Sequence, residues 1–218
     1  MNSEFTEVPS LELKLLRDIL WRREGGNRDK YRGELAIIRR GIDRFSEHYA
    51  YRYVYPALRE DAPESQKVAL LRTAALVAEF DSIPMFERSD TMKHKSFGRW
   101  CAEVSRAWAQ RNVSRDSETG PEQGTLKLDP RKNDAIASKL TYLHTQDLEE
   151  AIRTVYRLLQ IANSLSPAPS IDYLELYRMF SRWGNGISEA SRAVRMRPLK
   201  DYYSAFGSLS DEDSKPTE

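Results

Sequence analysis

One cysteine, three histidines, no excess of either charge and no long apolar run leave little room for chemistry in this 218-residue chain. Cys101 alone forms no internal disulfide, and its place between Trp100 and Ala102 in an amphipathic stretch reads as a packed thiol in a reducing cytoplasm. No Cys-x-x-Cys occurs. His48, His94 and His144 stand far apart, and none has a glutamate three or four positions ahead of it or a second histidine nearby, which argues against helical zinc and di-iron sites, and no metal or other cofactor is expected. Gly184 and Gly186 begin a Gly-x-Gly, but Glu189 stands where a dinucleotide fingerprint needs its third glycine, and the Lys-Ser/Thr phosphate loop is missing too. Glu149 and Glu150 are adjacent, so on a helix they diverge by about 100° and do not form an acid/base pair. The chain therefore reads as a non-enzyme.

No segment approaches the ~20 apolar residues of a membrane helix. The acidic start, Met1 to Glu7, lacks the basic and apolar regions of a secretory signal, which again points to a cytoplasmic protein with no membrane partner. Strand-like alternation is scarce as well, and helical periodicity runs through nearly everything. At this length a chain buries about 70% of its unfolded surface and needs no covalent staple.

What is present is positive charge in short clusters. Lysine and arginine number 34 against 33 acids, a net +1, yet residues 22–40 hold seven basic groups against Glu24, Asp29 and Glu34. Residues 178–200 hold six, Arg178, Arg182, Arg192, Arg195, Arg197 and Lys200, against Glu189 alone. A balanced chain cannot hold a polyanion by bulk charge, so these clusters point to nucleic acid gripped at fixed places.

The spacing predicts an all-α fold of two small helical bundles joined by a polar linker. Leu13, Leu16 and Leu20 mark a helix over 11–23 that stops at Gly25-Gly26-Asn27. Tyr31, Leu35 and Ile38 mark a second, ended by Gly41; Tyr49, Tyr53 and Val54 mark a third that meets Pro56. Pro63 sits where a first-turn proline belongs, opening a helix through Ala78, and Phe97, Trp100, Val104 and Trp108 mark a fifth. Residues 1–111 are thus expected as an N-terminal bundle, 112–129 as a mobile polar linker and domain boundary, 130–206 as a C-terminal bundle, and 207–218 as a disordered acidic tail. In the second bundle, Asp129-Pro130 begins a short helix to about Leu143. Thr145, Asp147 and Glu149 begin a longer one whose apolar face is Ile152, Val155, Tyr156 and Leu159. Ser170 is expected to cap the next helix, which ends at Gly184-Asn185-Gly186, and Pro198 to bend or restart the last.

The candidate contacts each admit a plainer role. Arg39 and Arg40 end a helix, where cations also favour the C-terminal dipole, but Arg32 one heptad before Arg39 makes a same-face stripe that favours phosphate. Arg153 and Arg157 lie i, i+4 beside an apolar face, with Glu149 and Glu150 as possible ion-pair partners. Arg178 and Arg182 repeat that spacing just before Trp183, on which a guanidinium can stack. Arg72 interrupts Ala69 to Ala75 and marks the solvent edge of its helix. Trp21, Trp100, Trp108 and Trp183, with eleven tyrosines, can stack on splayed bases, although helical spacing favours core packing for most.

Taken in order, these motifs resemble the CasB family, the small subunit of the type I-E CRISPR surveillance complex called Cascade. The resemblance rests on Ile38-Arg39-Arg40-Gly41, then Tyr51-Arg52-Tyr53-Val54-Tyr55-Pro56, Ala69-Leu70-Leu71-Arg72, Ser96-Phe97-Gly98-Arg99, the Leu158-Leu159 helix, Ile171-Asp172-Tyr173 through Arg178-Met179 to Trp183-Gly184, and Val194 to Tyr203. It spans about residues 11–206. Pro198, where the family carries an aromatic residue, the long 112–129 segment, and Lys139 in place of an arginine are departures.

The resemblance implies a non-catalytic helical subunit, present in two copies, that steadies the hybrid of crRNA and target DNA and offers a basic path to the displaced strand. Its implied partners are crRNA, target and displaced DNA strands, other Cascade subunits and a second copy of itself. Arg39, Arg40, Arg72, Arg99, Lys139, Arg153, Arg157 and Arg178 are the expected nucleic-acid contacts. The alternative is a helical transcriptional regulator that reads duplex DNA as a dimer, with 182–197 as its only candidate recognition segment. An enzyme would have to assemble its site from distant residues such as His48, His94 or His144.

Overall fold

The computed structural model describes residues 10–116, apart from 88, 90, 91 and 93, and residues 134–207. The described secondary structure is α1 (Leu11–Arg23), α2 (Asn27–Arg39), short 3-10 turns at Arg40–Ile42 and Glu47–Ala50, α3 (Tyr51–Val54), a further 3-10 turn at Tyr55–Ala57, α4 (Glu64–Glu79), α5 (Phe97–Asp116), α6 (Ala135–Leu143), α7 (Leu148–Asn163), α8 (Tyr173–Ser181) and α9 (Glu189–Gly207). The only β pairing among the described residues is an isolated parallel bridge between Met85 and Ile171. The all-α expectation holds. None of the described helices is long and apolar enough to cross a membrane.

The chain forms two compact units that meet at Asp81 and Ser82. The start of the segment expected as a linker, 112–116, is the end of α5, which packs along α9, α6 and α7 within the second unit. The remainder of the expected linker, 117–129, and the expected acidic tail from 208 onward lie outside the described residues, as does the Met1 to Glu7 start.

In the first unit, α1, α2 and α4 pack on one another. Ser10 caps α1 by accepting from Leu13 N (3.4 Å), and Leu13, Leu16, Ile19 and Leu20 form its buried face. Gly25, at φ +50, ends it, and α2 begins at once with Asn27. All ten residues from Ala69 to Ala78 are buried, so α4 is the central helix. The third predicted helix is present as consecutive 3-10, α and 3-10 turns from Glu47 to Ala57, with Pro56 in the last of them. Gly41 lets the preceding 3-10 turn lie against α4: a Cβ there would stand 3.1 Å from the Leu71 carbonyl oxygen and 3.4 Å from Ala50 Cβ.

In the second unit the caps are aspartates. Asp134 Oδ1 accepts from Ile136 N (2.9 Å) and Ala137 N (2.6 Å), and Asp147 accepts from Glu150 N (2.8 Å). Asp172, rather than the expected Ser170, accepts from Leu174 N and Glu175 N (both 3.1 Å). Each satisfies amides that an α-helix leaves orphaned at its start. The interior face of α7 is Ala151, Ile152, Val155, Leu158, Leu159 and Ala162. Two indoles are fully buried and donate to backbone, Trp100 to the Pro169 carbonyl and Trp183 to the Gln146 carbonyl, both at 3.0 Å. Cys101 is buried between α5 neighbours, and desolvation pushes its thiol well above the usual range, as a packed thiol requires.

Pro198 does not restart α9, which continues through it. The reason lies across the helix pair. A Cβ on Gly98 would meet the Pro198 carbonyl oxygen at 2.1 Å and Tyr202 N at 2.8 Å, so α5 and α9 approach backbone to backbone at this point and hold α9 in place.

Candidate nucleic-acid interface

The first unit directs much of its basic cluster inward. The last carbonyls of α4 lack helical partners and carry the negative end of the helix dipole. Arg23, 4% exposed, donates through Nη1 to the Val77 carbonyl (2.6 Å) and to the Phe80 carbonyl. Arg39 donates through Nε to the Ala78 carbonyl (3.0 Å) and lies 3.2 Å from Glu79, while Arg28 pairs with Asp81 at 2.6 Å. Arg22 is shared by Asp18 (2.6 Å) and Glu34 (2.7 Å). Arg28, Arg32 and Arg39 line one surface hollow with Asp29 and Leu35, so the predicted stripe of Arg32 and Arg39 is real, with Arg32 its exposed member and without a side-chain partner among the described residues. Arg40 leaves this hollow and lies over the Tyr49 ring, 4.7 Å from its centroid. The Arg39–Arg40 pair is thus divided between two surfaces.

Arg72 does not mark a solvent edge. It is 1% exposed, and Nη1 donates to the Gly41 carbonyl and to Glu47 Oε2, both at 2.6 Å. Glu47 Oε1 in turn accepts from Tyr51 OH (2.9 Å), whose ring stacks on Tyr55, and burial with this carboxylate raises the Tyr51 phenol far above its usual range. The guanidinium knits the 3-10 turns to α4 and cannot reach a phosphate from there. The sequence could not reveal this, because its partners are 25 and 31 residues away.

In the second unit a basic groove crosses α5, α8 and α9. One hollow is lined by Gly98 together with Arg178, Arg182 and Arg197, a second by His94, Arg99 and Ser204, and the two share Ser96, Arg197 and Asp201. Arg178 and Arg99, far apart in sequence, are therefore joined through Arg197. Arg178 pairs with Glu175 (2.6 Å) and Arg197 with Asp201 (3.3 Å), while Arg99 and Arg182 have no side-chain partner among the described residues. Four guanidiniums face two carboxylates. The first turn of α5 lies at the same place, where Ser96 Oγ accepts from Arg99 N at 3.4 Å. Arg197, absent from the sequence-based set, has only its i, i+4 spacing to Asp201 as a local signal.

Arg153 and Arg157 are exposed on α7. Lys139 on α6 is half-buried, without a described side-chain partner. Stacking on Trp183 does occur, but by Arg195, whose Cζ lies 5.4 Å from the ring. That residue is 7% exposed and donates to the Trp183 (3.1 Å) and Gly184 (2.5 Å) carbonyls, pinning the turn before α9. A segment whose arginine is turned inward in this way is poorly placed to read base edges. Trp108 is half-buried and Trp21 half-exposed beside Tyr31, so core packing holds for Trp100 and Trp183 and only in part for the other two.

Fold and surface together define an all-α protein that carries basic hollows on rigid helices. Residues 34–203 match the family model of the CRISPR-associated protein Cse2, and the chain belongs to that family. It is, with that family, a small subunit of a CRISPR Cascade complex, in agreement with the resemblance read from the motifs. Among solved structures, a chain of a CRISPR RNA-guided surveillance complex is similar at 17% identity, covering 94% of this chain and 98% of that one with a TM-score of 0.61. A Cse2-family protein and a CasB protein, both from Thermus thermophilus, are similar at 20% and 18% identity, each covering 90% of this chain and 99% of theirs with a TM-score of 0.56. No match is found among curated proteins.

Proposed function

We propose that this protein is a non-catalytic subunit that steadies the hybrid of guide RNA and target DNA, and the displaced strand, by gripping sugar-phosphate backbone. Its partners in this reading are crRNA, target and displaced DNA, other Cascade subunits and a second copy of itself, all in the cytoplasm. In an R-loop the guide reads sequence by pairing, and the protein is left to hold backbone and shape. Exchange of duplex for hybrid is nearly balanced, so a few phosphate contacts tip it. Arg40, Arg99, Lys139, Arg153, Arg157 and Arg178 serve as contacts, Arg39 contributes at the edge of its hollow, and Arg72 belongs to the frame.

The observation that carries this reading is the groove in which Arg99, Arg178, Arg182 and Arg197 meet on three helices of one unit, with only Glu175 and Asp201 opposing them. The test is R-loop formation by the assembled complex on a target duplex across a salt series. Replacing Arg99 and Arg178 with alanine is expected to weaken binding and to flatten the dependence of log affinity on log salt, by about 0.7 per lost single-strand contact. Unchanged affinity and slope at low and high salt would overturn the assignment.

A further inference from the structure

The first unit carries a second kind of surface that its charge alone does not explain. Between the 3-10 turns Arg40–Ile42 and Glu47–Ala50, which pack on each other, the chain folds back in a tight turn. Ser46 N donates to the Asp43 carbonyl (3.1 Å), Phe45 N to Asp43 Oδ1 (3.2 Å), and Ser46 Oγ to the Arg40 carbonyl (3.0 Å). At the apex stands Phe45, 88% exposed and without a ring partner among the described residues. A folded chain gains nothing by fixing a phenyl ring in water on a braced turn, and the surroundings say what the ring suits.

The same turns hold a cluster of rings and cations. The Arg40 guanidinium lies 4.7 Å from the centre of the Tyr49 ring, and the His48 ring packs 4.1 Å from the same ring. Arg44 and Arg52 are exposed nearby in the chain, Arg52 lying over Tyr53 at 5.0 Å. The acids of the stretch are otherwise engaged: Glu47 is held by Arg72 and Tyr51, and Asp43 braces the turn itself. Exposed π-faces interleaved with guanidiniums are the chemistry that holds unpaired nucleobases, because every base has a face to stack and every linkage a phosphate to neutralise. An apolar protein partner would not call for the cations, and a duplex would not offer its base faces.

We infer that Phe45, on the turn that also carries the Arg40–Tyr49–His48 cluster, is a stacking platform for the bases of a single-stranded nucleic acid. The inference rests on the proposed nucleic-acid role but adds contact to the bases of the strand, beyond its backbone, through a group that carries no charge.

The experiment measures binding of the full-length chain to a fluorescent 20-residue thymidine oligonucleotide and to an abasic strand of equal length, across a salt series. The wild type is expected to prefer the thymidine strand by about tenfold. Phe45→Ala should bring the two strands near parity without altering the salt slope, and Phe45→Trp should keep the preference; circular dichroism checks that both variants fold. Arg40→Ala should instead flatten the slope for both strands, which tests the parent reading separately. A wild type indifferent to bases, a Phe45→Ala variant that keeps the preference, or one that only loses incorporation into the assembled complex would each overturn the platform. Absence of salt-dependent binding to either strand would overturn the parent reading and the platform with it.

Discussion

The two basic segments, 22–40 and 178–200, look alike as charge, yet they are used in opposite ways. In the first, Arg23, Arg28 and Arg39 turn to the C-terminal end of α4, and Arg22 is divided between two carboxylates. In the second, only Arg195 is turned inward, and Arg178, Arg182 and Arg197 open onto a groove. The difference follows from the neighbouring element. A helix that ends inside a small bundle, as α4 does, presents bare carbonyls that must be paired, and guanidinium is the donor that reaches several at once. In the second segment Arg195 alone covers the carbonyls that follow α8, those of Trp183 and Gly184, which leaves Arg178, Arg182 and Arg197 to the groove.

If inward guanidiniums belong to the frame, removing one should damage stability before it damages binding. Arg72→Ala is expected to have the largest effect, about 3–5 kcal/mol, since it strands the Glu47 carboxylate and the Gly41 carbonyl in a buried site. A urea titration followed by far-ultraviolet circular dichroism measures it; a loss under 1 kcal/mol would show that the buried pair contributes little. Arg23→Ala should follow with about 2 kcal/mol, from charged hydrogen bonds to the Val77 and Phe80 carbonyls at the end of α4.

How much of this was legible depends on how local its cause is. The helices with a clear 3.6-residue stripe, α1, α2 and α7, needed only their own residues. The 47–57 segment is helical, as its tyrosine spacing indicates, but it is divided into 3-10, α and 3-10 turns, and Arg72, which ties it to α4 through Glu47, is a partner beyond any window. The boundary at 112–129 was drawn from polarity, which does not register that α5 runs on to Asp116 within the second unit. Arg39 and Arg178 were found as arginines at helix ends, but whether such a group turns to a carbonyl or to solvent is decided by elements 39 or more residues distant, as for Ala78 and Arg39.

The groove in the second unit depends on how closely α5 and α9 approach, which gives a third way to sharpen the contrast. Gly98→Ala inserts a methyl where the Pro198 carbonyl oxygen stands 2.1 Å away, so the helices must part. Overpacking of this kind is expected to cost about 1–3 kcal/mol, read as a fall in thermal midpoint. It should also weaken R-loop binding, because Ser96, Arg197 and Asp201, which join the two hollows, lie on the displaced elements. Full stability in the alanine variant would mean that α9 yields at Pro198 without strain.

The smallest expected effect on stability is the sharpest test of the comparison. Arg182 is exposed, has no side-chain partner among the described residues, and lines the groove. Its removal should change unfolding free energy by less than about 0.5 kcal/mol, the usual range for a surface substitution. The same change should lower the salt slope of R-loop binding by about 0.7, the share of one single-strand phosphate. Arg23 should do the reverse, with lost stability and an unaltered slope. If Arg182→Ala instead destabilised the fold and left the slope intact, the division between frame and groove would fail at the residue where the structure draws it most clearly, and the charge of 178–200 would have to be explained as that of 22–40 is, by what it holds together inside the protein.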